Sequence, residues 1–372
     1  MLGLYVHIPF CDGKCPYCDF YSRPGDEEVK EAYTRSLEAR LAQWGERLQK
    51  EGVPTQVDTL YFGGGTPNLL GASRLARLIA AARRNFALCD VEITVEVNPS
   101  TRLDEFFREI FAAGANRLSI GLQSAHEQEL QALGRRHTAR QAAETVEAAR
   151  RAGFSNLSLD LMLAIPGQTM QSALSSVAFC RELGVPHVSA YLLKVEQGTP
   201  FWERREALNL PDEDETADRY LAVCEALEQS GLKQYEISNF AVPGKESRHN
   251  LKYWHGEEYL GLGPGAHSFV EGKRFYFPRD LSGFLQGAPP VADGEGGTLE
   301  EALLLRLRLT EGITREMLLP FGEKGEAAFL WMEKKSRPYR AAGLLQREPG
   351  RIALTPKGFL VSNELIAELL PK

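Results

Sequence analysis

Short apolar runs alternate with longer amphipathic stretches through the first half of the chain. Six runs have the composition of strands, because they are rich in β-branched and aliphatic residues: GLYVHI, VDTLYF, VEITVEV, NRLSIGL, NLSLDLML and HVSAYLL. Amphipathic stretches such as EEVKEAYTRSLEARLAQW and ARQAAETVEAARRAG separate them. A strand followed by a helix, repeated about six times, predicts an α/β fold, either a parallel β/α sheet or a partial barrel.

The alternation loosens after about residue 195, and a second unit follows. Residues 288–297 (APPVADGEGG) are rich in proline, glycine and acidic residues, which is typical of a linker. Beyond them come helical patterns, a hairpin-like QREPGRIAL and a last helical pattern, PKGFLVSNELIAELL. Helices with a short two-stranded wing resemble a winged-helix module. We therefore predict two domains, 1–287 and 288–372.

Charge and composition exclude several classes of protein. The 372 residues carry 43 Lys and Arg against 50 Asp and Glu, a net charge of −7. From residue 295 onward, 12 basic residues face 11 acidic ones, too weak a balance to hold a nucleic acid backbone, so we predict no nucleic acid partner. No apolar run reaches the ~18 residues of a membrane span, and the N-terminus lacks the features of a signal peptide. We expect a cytoplasmic protein.

Three of the six cysteines are clustered. Cys11, Cys15 and Cys18 form a C-x3-C-x2-C pattern directly after the first predicted strand. In a reducing cytosol, clustered thiols commonly hold a metal. A four-iron cluster held by three thiolates keeps one iron open for a ligand, whereas a structural zinc with His7 as the fourth ligand is the alternative. We interpret the other three cysteines as structural. Cys89 ends a helix-like stretch just before a predicted strand, and Cys180 and Cys224 lie in apolar helical patterns, where a buried thiol acts as a small apolar side chain.

Glycines and polar residues follow the predicted strands. The segment YFGGGTP (61–67) has neither the Lys-Ser/Thr of a phosphate-binding loop nor the G-x-G-x-x-G spacing, but its glycines let backbone groups approach a small ligand. Glu96, Gln123 and Asp160 lie toward the ends of later strand runs, and Arg135 follows. That end of a β/α barrel carries the active site, so these residues are candidates for ligand binding. Structural ion pairs with Arg117 or Arg135 are the alternative.

Together the cysteine spacing and the glycine segment resemble the radical S-adenosylmethionine (SAM) superfamily. The resemblance implies a partial (β/α)6 radical SAM barrel with a small helical, winged-helix-like C-terminal domain. It also implies a [4Fe–4S] cluster on Cys11, Cys15 and Cys18, with SAM bound to the open iron and cleaved when the cluster donates an electron. The residues that it implies as SAM contacts are Tyr5, Tyr17, Gly64, Gly65, Thr66, Glu96, Gln123, Arg135 and Asp160.

Segments along essentially the whole chain resemble one branch of that superfamily. This branch contains the oxygen-independent coproporphyrinogen III oxidases and the HemW family of heme chaperones, and the matching segments include YVHIPFCDGKCPYCDF, EVNP and LDLMLAIPGQT. The oxidase type carries an extra cysteine two residues after the third, where this chain has Phe20. The segment HNLKYW resembles the HNxxYW signature of the heme chaperones. It implies heme contacts, with an imidazole as a candidate axial ligand, at His249, Asn250, Tyr253 and Trp254, and the nearby His255 and His267 compete for that role.

Three functions from different classes remain open. The first is a heme chaperone that binds heme and a SAM-bound cluster, receives electrons from a donor such as a flavodoxin or a ferredoxin, and delivers heme to respiratory cytochromes at the periphery of the inner membrane. The second is a coproporphyrinogen III oxidase that removes propionate carboxyl groups by radical chemistry. The third is a zinc-stabilised module without enzymatic activity whose winged C-terminus binds a partner. The resemblance favours the first.

Overall fold

Six parallel strands form the centre of the computed structural model, which describes residues 1–371. The strands lie side by side in chain order, and each pairs in parallel with the next. The predicted partial (β/α)6 barrel is thereby confirmed. The strands are β1 (Leu2–Ile8), β2 (Gln56–Gly64), β3 (Ala87–Val97), β4 (Arg117–Gln123), β5 (Asn156–Leu163) and β6 (His187–Leu192).

Helices connect these strands and cover the outside of the sheet. They are α1 (Glu27–Lys50), α2 (Ala72–Asn85), α3 (Asp104–Ala113), α4 (Glu127–Ala132), α5 (Ala139–Ala152), α6 (Met170–Glu182), α7 (Pro200–Glu203) and α8 (Glu213–Gln229), with single 3-10 turns at Pro67–Leu70 and Arg205–Ala207. Local sequence sets their ends. Thr138 and Thr169 begin α5 and α6 with side-chain caps, and Gly153 ends α5 in the left-handed conformation that glycine adopts readily.

Further elements widen the sheet on both edges to twelve strands. On one edge β8 pairs antiparallel with β6, and on the other β9 lies parallel to β1 before three antiparallel strands continue outward. These elements are β7 (Lys233–Gln234), β8 (Asn239–Ala241), α9 (Arg248–His255), β9 (Tyr259–Leu262), β10 (His267–Val270), β11 (Lys273–Tyr276), α10 (Leu281–Leu285) and β12 (Val291–Glu295).

Two local features differ from the sequence-based expectations. Residues 291–295, inside the stretch interpreted as a linker, form the edge strand β12, because their backbone pairs with the free edge of β11. Cys89 lies exposed within β3 rather than at the end of a helix, since α2 already ends at Asn85. Cys180 and Cys224 are buried in α6 and α8 as expected. The division of the chain at residue 288 stays a prediction.

The C-terminal part is helical with a minimal wing. Its elements are α11 (Leu299–Arg306), β13 (Ile313–Thr314), a 3-10 segment (Glu316–Phe321), α12 (Gly322–Ala341), β14 (Arg351–Ile352), α13 (Pro356–Leu360) and α14 (Ser362–Leu369). β13 and β14 pair antiparallel, and a bridge between Leu345 and Leu354 closes the hairpin-like segment. The last predicted helix is divided at Val361. No helix within residues 1–371 is long and apolar enough to cross a membrane.

Candidate cofactor site

A cavity of about 590 Å³ opens at the carboxyl ends of the central strands. Its lining brings together predicted site residues as far apart in sequence as Cys11 and Asp160, 149 positions, because parallel strands all end at the same edge of a barrel. All but one of the predicted cluster and SAM residues line it: Cys11, Cys15, Cys18, Tyr17, Gly64, Gly65, Thr66, Glu96, Gln123, Arg135 and Asp160. The exception is Tyr5.

The three clustered cysteines lie half-buried on the loop between β1 and α1. The amide of Cys18 donates to the carbonyl of Cys15 at 3.0 Å, so the loop turns back on itself. The Cys11 sulfur lies 3.2 Å from the Thr66 hydroxyl, and Nη1 of Arg135 lies 3.8 Å from the Cys15 sulfur. Thr66 and Arg135 therefore lie directly beside two of the three thiols.

The geometry favours an iron–sulfur cluster over the zinc alternative. His7 is buried, its Nε2–H donates to the Tyr21 carbonyl at 2.8 Å, and its Nδ1 accepts from the Tyr5 hydroxyl at 3.0 Å, so both ring nitrogens are occupied. Within residues 1–371 no three His, Cys, Asp or Glu side chains converge closely enough for a single ion. A four-iron cluster binds each thiolate through a different iron atom, so its ligands stand farther apart than those of one ion. The three thiols lie on one loop at the edge of the cavity, where they could serve as the three ligands of such a cluster.

The glycine segment is joined to the cysteine loop by backbone hydrogen bonds. The amide of Gly65 donates to the Ile8 carbonyl at 2.9 Å, and that of Thr66 donates to the Phe10 carbonyl at 2.8 Å. A Cβ at Gly65 would lie 2.8 Å from both of those carbonyl oxygens. Gly64 has a φ of 108° and faces the His7 ring. These two glycines are therefore required by the packing of the chain on itself, in addition to any approach of a ligand.

Glu96 is held in place by two donors. One carboxylate oxygen accepts from the Tyr61 hydroxyl at 2.8 Å, and the other accepts from the Gly64 amide at 3.1 Å. Burial, and then the negative charge of Asp160, raise the pKa of Glu96 to about 7. A carboxylate has about four acceptor positions, so Glu96 retains capacity for a cationic ligand such as an ammonium group.

Asp160 and Arg117 lie deeper in the barrel. The Ser119 hydroxyl donates to Asp160 at 3.0 Å, and burial raises the pKa of Asp160. Arg117 is 2% exposed, lines the cavity and forms no side-chain hydrogen bond within residues 1–371, and its Nε is buried without a partner. Arg117 therefore forms no direct ion pair with Glu96 or Asp160, which was the structural alternative raised by the sequence.

Asn98 is a site residue that the sequence analysis missed. Its Oδ1 accepts from Nη2 of Arg135 at 2.7 Å, and its Nδ2 donates to the Thr66 hydroxyl at 2.8 Å. It therefore orients the arginine and the glycine segment together. Its position in the EVNP segment was the available signal. Gln123 has a φ of 68°, a strained conformation for this residue type that is common at functional sites.

Helix α9, which carries the HNLKYW segment, closes the opposite end of the barrel. The amides of Arg248 and His249 donate to Glu92, and Lys252 pairs with Asp58 at 2.8 Å, so the helix crosses the amino-terminal halves of β2 and β3. Asn250, on the same helix, lines the cavity. Tyr253 and Trp254 are half-buried on the same helix.

His249 is enclosed at this end. It is 1% exposed, its Nδ1 lies 2.8 Å from the Thr59 hydroxyl, and its Nε2 lies 2.8 Å from the Tyr253 hydroxyl. Tyr5 stacks on its ring at 6.3 Å between centroids, which explains why Tyr5 does not line the cavity. Burial, and then Lys252, lower the pKa of His249 to about 3. Both nitrogens are occupied, so heme ligation by His249 stays a prediction that requires these bonds to open.

Comparison with known proteins assigns the family. Residues 5–180 match the radical SAM superfamily, and residues 298–361 match the HemN C-terminal domain. The heme chaperone HemW of Mycobacterium tuberculosis is 38% identical over 99% of this chain and 94% of its own length, and that of Bacillus subtilis is 34% identical over 100% and 99%. The solved coproporphyrinogen III oxidase (HemN) of Escherichia coli has a TM-score of 0.81 at 22% identity, covering 99% of this chain and 89% of that one, which shows the fold.

A partial barrel with three cysteines and a glycine segment at the rim of its cavity defines a radical SAM protein. More narrowly, the chain belongs to the HemW family of heme chaperones.

Proposed function

We propose that this chain is a heme chaperone that also holds a SAM-bound [4Fe–4S] cluster. The observation that carries the proposal is the likeness, along nearly the whole chain, to relatives described as heme chaperones. Phe20, in the position where the oxidase type has a further cysteine, agrees with it. Respiratory cytochromes at the inner membrane as heme acceptors, and a flavodoxin or a ferredoxin as electron donor, are the finer parts of the proposal.

The residues around the cavity have separate roles in holding SAM. Glu96 accepts hydrogen bonds from the ammonium group and Asp160 accepts them from ribose hydroxyls, because both keep free acceptor positions. Arg135, oriented by Asn98, pairs with the SAM carboxylate. The cysteine triplet holds the cluster. When bound, the cluster and SAM supply one-electron reductive chemistry to this site.

Heme titration of the anaerobically reconstituted protein, with and without SAM, tests the proposal. A chaperone binds heme with a shifted Soret band and then passes it to a heme-free acceptor cytochrome. The reconstituted protein should contain about four irons per chain, with broad absorption near 400 nm. Absence of heme binding by the reconstituted protein contradicts the proposal.

The oxidase alternative is tested in the same preparation. Incubation with coproporphyrinogen III, SAM and a reductant should leave the porphyrinogen unchanged. Formation of protoporphyrinogen would overturn the chaperone proposal in favour of radical oxidative decarboxylation.

A further inference from the structure

The opening of the cavity is lined by apolar side chains that face solvent. Phe20, on the cysteine loop, is 63% exposed, and Leu192, at the end of β6, is 38% exposed. Tyr191 beside it is also exposed, and all three line the cavity that holds the predicted SAM residues. The cysteine loop and the end of β6 thus present an apolar surface at this opening.

This surface is not explained by the packing of the chain. Nearly all large apolar residues of the barrel are buried, and no aromatic ring within residues 1–371 stacks on Phe20. Exposed apolar side chains grouped at the mouth of a cavity are typical of ligand-binding surfaces. Phe20 is also the residue that distinguishes this chain from the four-cysteine pattern of the oxidases.

Cationic side chains surround the apolar residues. Lys14, Lys194 and Arg279 line the same cavity. Lys194 pairs with Glu196 at 2.8 Å and Arg279 pairs with Asp19 at 3.1 Å, but these four side chains are between 42% and 81% exposed. Exposed pairs of this kind contribute little and can exchange for a ligand anion. Asp19 and Glu196 line the cavity too, so the opening combines an apolar centre with two exposed ion pairs that can exchange partners and with Lys14, which forms no ion pair within residues 1–371.

We infer that this opening, formed by Phe20, Tyr191, Leu192, Lys194 and Arg279, is the surface on which heme docks. The inference rests on the proposed function. Heme is a flat apolar macrocycle with two propionate carboxylates on one edge. The macrocycle packs on Phe20 and Leu192, and the carboxylates pair with Lys194 and Arg279. The residues predicted to hold SAM line the same cavity.

The opposite end of the barrel offers no comparable surface in the folded protein. His249 is 1% exposed, and its two ring nitrogens face Thr59 and Tyr253. Heme can reach the opening without any change in α9, whereas the His249 nitrogens become available only if their hydrogen bonds to Thr59 and Tyr253 open. The docking surface therefore lies at the carboxyl ends of the strands.

The test is an anaerobic heme titration of reconstituted wild-type protein and three variants, followed by the Soret band. Phe20→Ser and Leu192→Ser should each weaken heme binding about tenfold, as expected for the loss of a large buried apolar contact. Leu330→Ser, a matched change at a 57% exposed leucine on α12, should leave the affinity unchanged. Iron content and the thermal midpoint of each variant show whether it retains its cluster and its fold.

Charge is tested with a second probe. Lys194→Glu should weaken binding of heme several-fold and leave binding of heme dimethyl ester, which lacks the carboxylates, unchanged. Wild-type affinity in both Phe20→Ser and Leu192→Ser would overturn the docking surface while leaving the chaperone function standing. Failure of the wild-type protein to bind heme would overturn the proposed function itself.

Discussion

The two ends of the barrel contain similar kinds of polar residue, but those at one end face an open cavity and those at the other are buried and hydrogen-bonded. At the carboxyl ends of the strands, Glu96 and Asp160 line an open cavity and keep unused acceptor positions. At the amino ends, α9 covers the barrel, and His249 and Lys252 are buried and bonded to neighbouring side chains. Both ends carry segments that the resemblance linked to function.

Comparison of the two ends indicates that a motif marks a ligand site only where its polar atoms remain free. A buried polar group must be hydrogen-bonded, so a fully satisfied cluster such as that of His249 contributes to the fold. A carboxylate that accepts from only one or two donors at a cavity wall is held in a fixed orientation and still has acceptor positions free for a ligand. Binding chemistry is therefore expected at the open end and stability at the closed end.

The largest effect is expected at the open end from Cys15→Ser. A serine hydroxyl does not replace a thiolate as an iron ligand, so cluster assembly should fail and iron should fall from about four per chain to near zero. Iron analysis and absorption near 400 nm after anaerobic reconstitution measure it. Cys89→Ser, at an exposed cysteine on β3, is the control and should keep its iron. Full iron retention in Cys15→Ser would show that Cys15 is not a ligand of the cluster.

Gly65→Ala should destabilise the chain by about 3 kcal/mol, because the new Cβ would meet the carbonyls of Ile8 and Phe10 at 2.8 Å and separate two backbone segments. Urea unfolding measures it. Gly244→Ala is the matched control, since Gly244 has a φ of 83° with open space around it and should lose only about 1 kcal/mol to backbone strain. Equal losses in the two variants would show that the glycine segment does not pack tightly on the cysteine loop.

The sequence predicted the regular parts of the fold well. Strand runs such as NLSLDLML match β5 because fully buried parallel strands have continuous apolar sequences. The edge strand β12 was interpreted as a linker, because an exposed strand of five residues has no apolar pattern and depends on pairing with β11. Hydrophobic periodicity indicates which residues are buried. It does not show which distant strand a segment pairs with.

The site was predictable where several signals coincided. The cysteine triplet, the glycine segment and the acidic residues of the strands all come to one cavity. The role of Asn98 was missed although its EVNP segment was an available signal, because the arginine that it orients lies 37 residues later and their contact is not visible in the sequence. The enclosure of His249 was also invisible, since it depends on Thr59, 190 positions away, and on the course of α9.

His249→Gln should act as a stability change at the closed end. It removes two buried hydrogen bonds and should cost about 2 kcal/mol at neutral pH, while iron content stays as in the wild type. Because the pKa of His249 is lowered to about 3 in the folded state, its stabilisation is complete above the ordinary value of 6.5 and is lost as the pH falls below it. The variant should therefore lose about 1.4 kcal/mol less than the wild type between pH 7.5 and 5.5, as measured by urea unfolding. Equal losses of unfolding free energy in the variant and the wild type over this pH range would show that another group causes the acid sensitivity.

The smallest expected effect concerns Glu96 at the open end of the barrel. Glu96→Gln keeps the shape of the side chain and can still accept from the Tyr61 hydroxyl, but it removes the charge that would pair with an ammonium group. SAM affinity should fall about tenfold, which corresponds to about 1.4 kcal/mol, with iron content unchanged. Isothermal titration of the reconstituted protein with SAM measures it, and Glu271→Gln, at an exposed turn, is the control.

The pH dependence separates this role from a purely structural one. Burial raises the pKa of Glu96 to about 7 in the free protein, so the carboxylate is increasingly available as the pH rises from 6 to 8. Wild-type SAM affinity should rise over that range, and the affinity of Glu96→Gln should not. The same raised pKa means that ionised Glu96 destabilises the free fold above about pH 7, so Glu96→Gln should be the more stable protein at pH 8 without SAM. A variant that binds SAM more weakly yet unfolds less readily identifies a carboxylate held for its ligand, and reduced stability at pH 8 would instead assign Glu96 to the same structural class as His249.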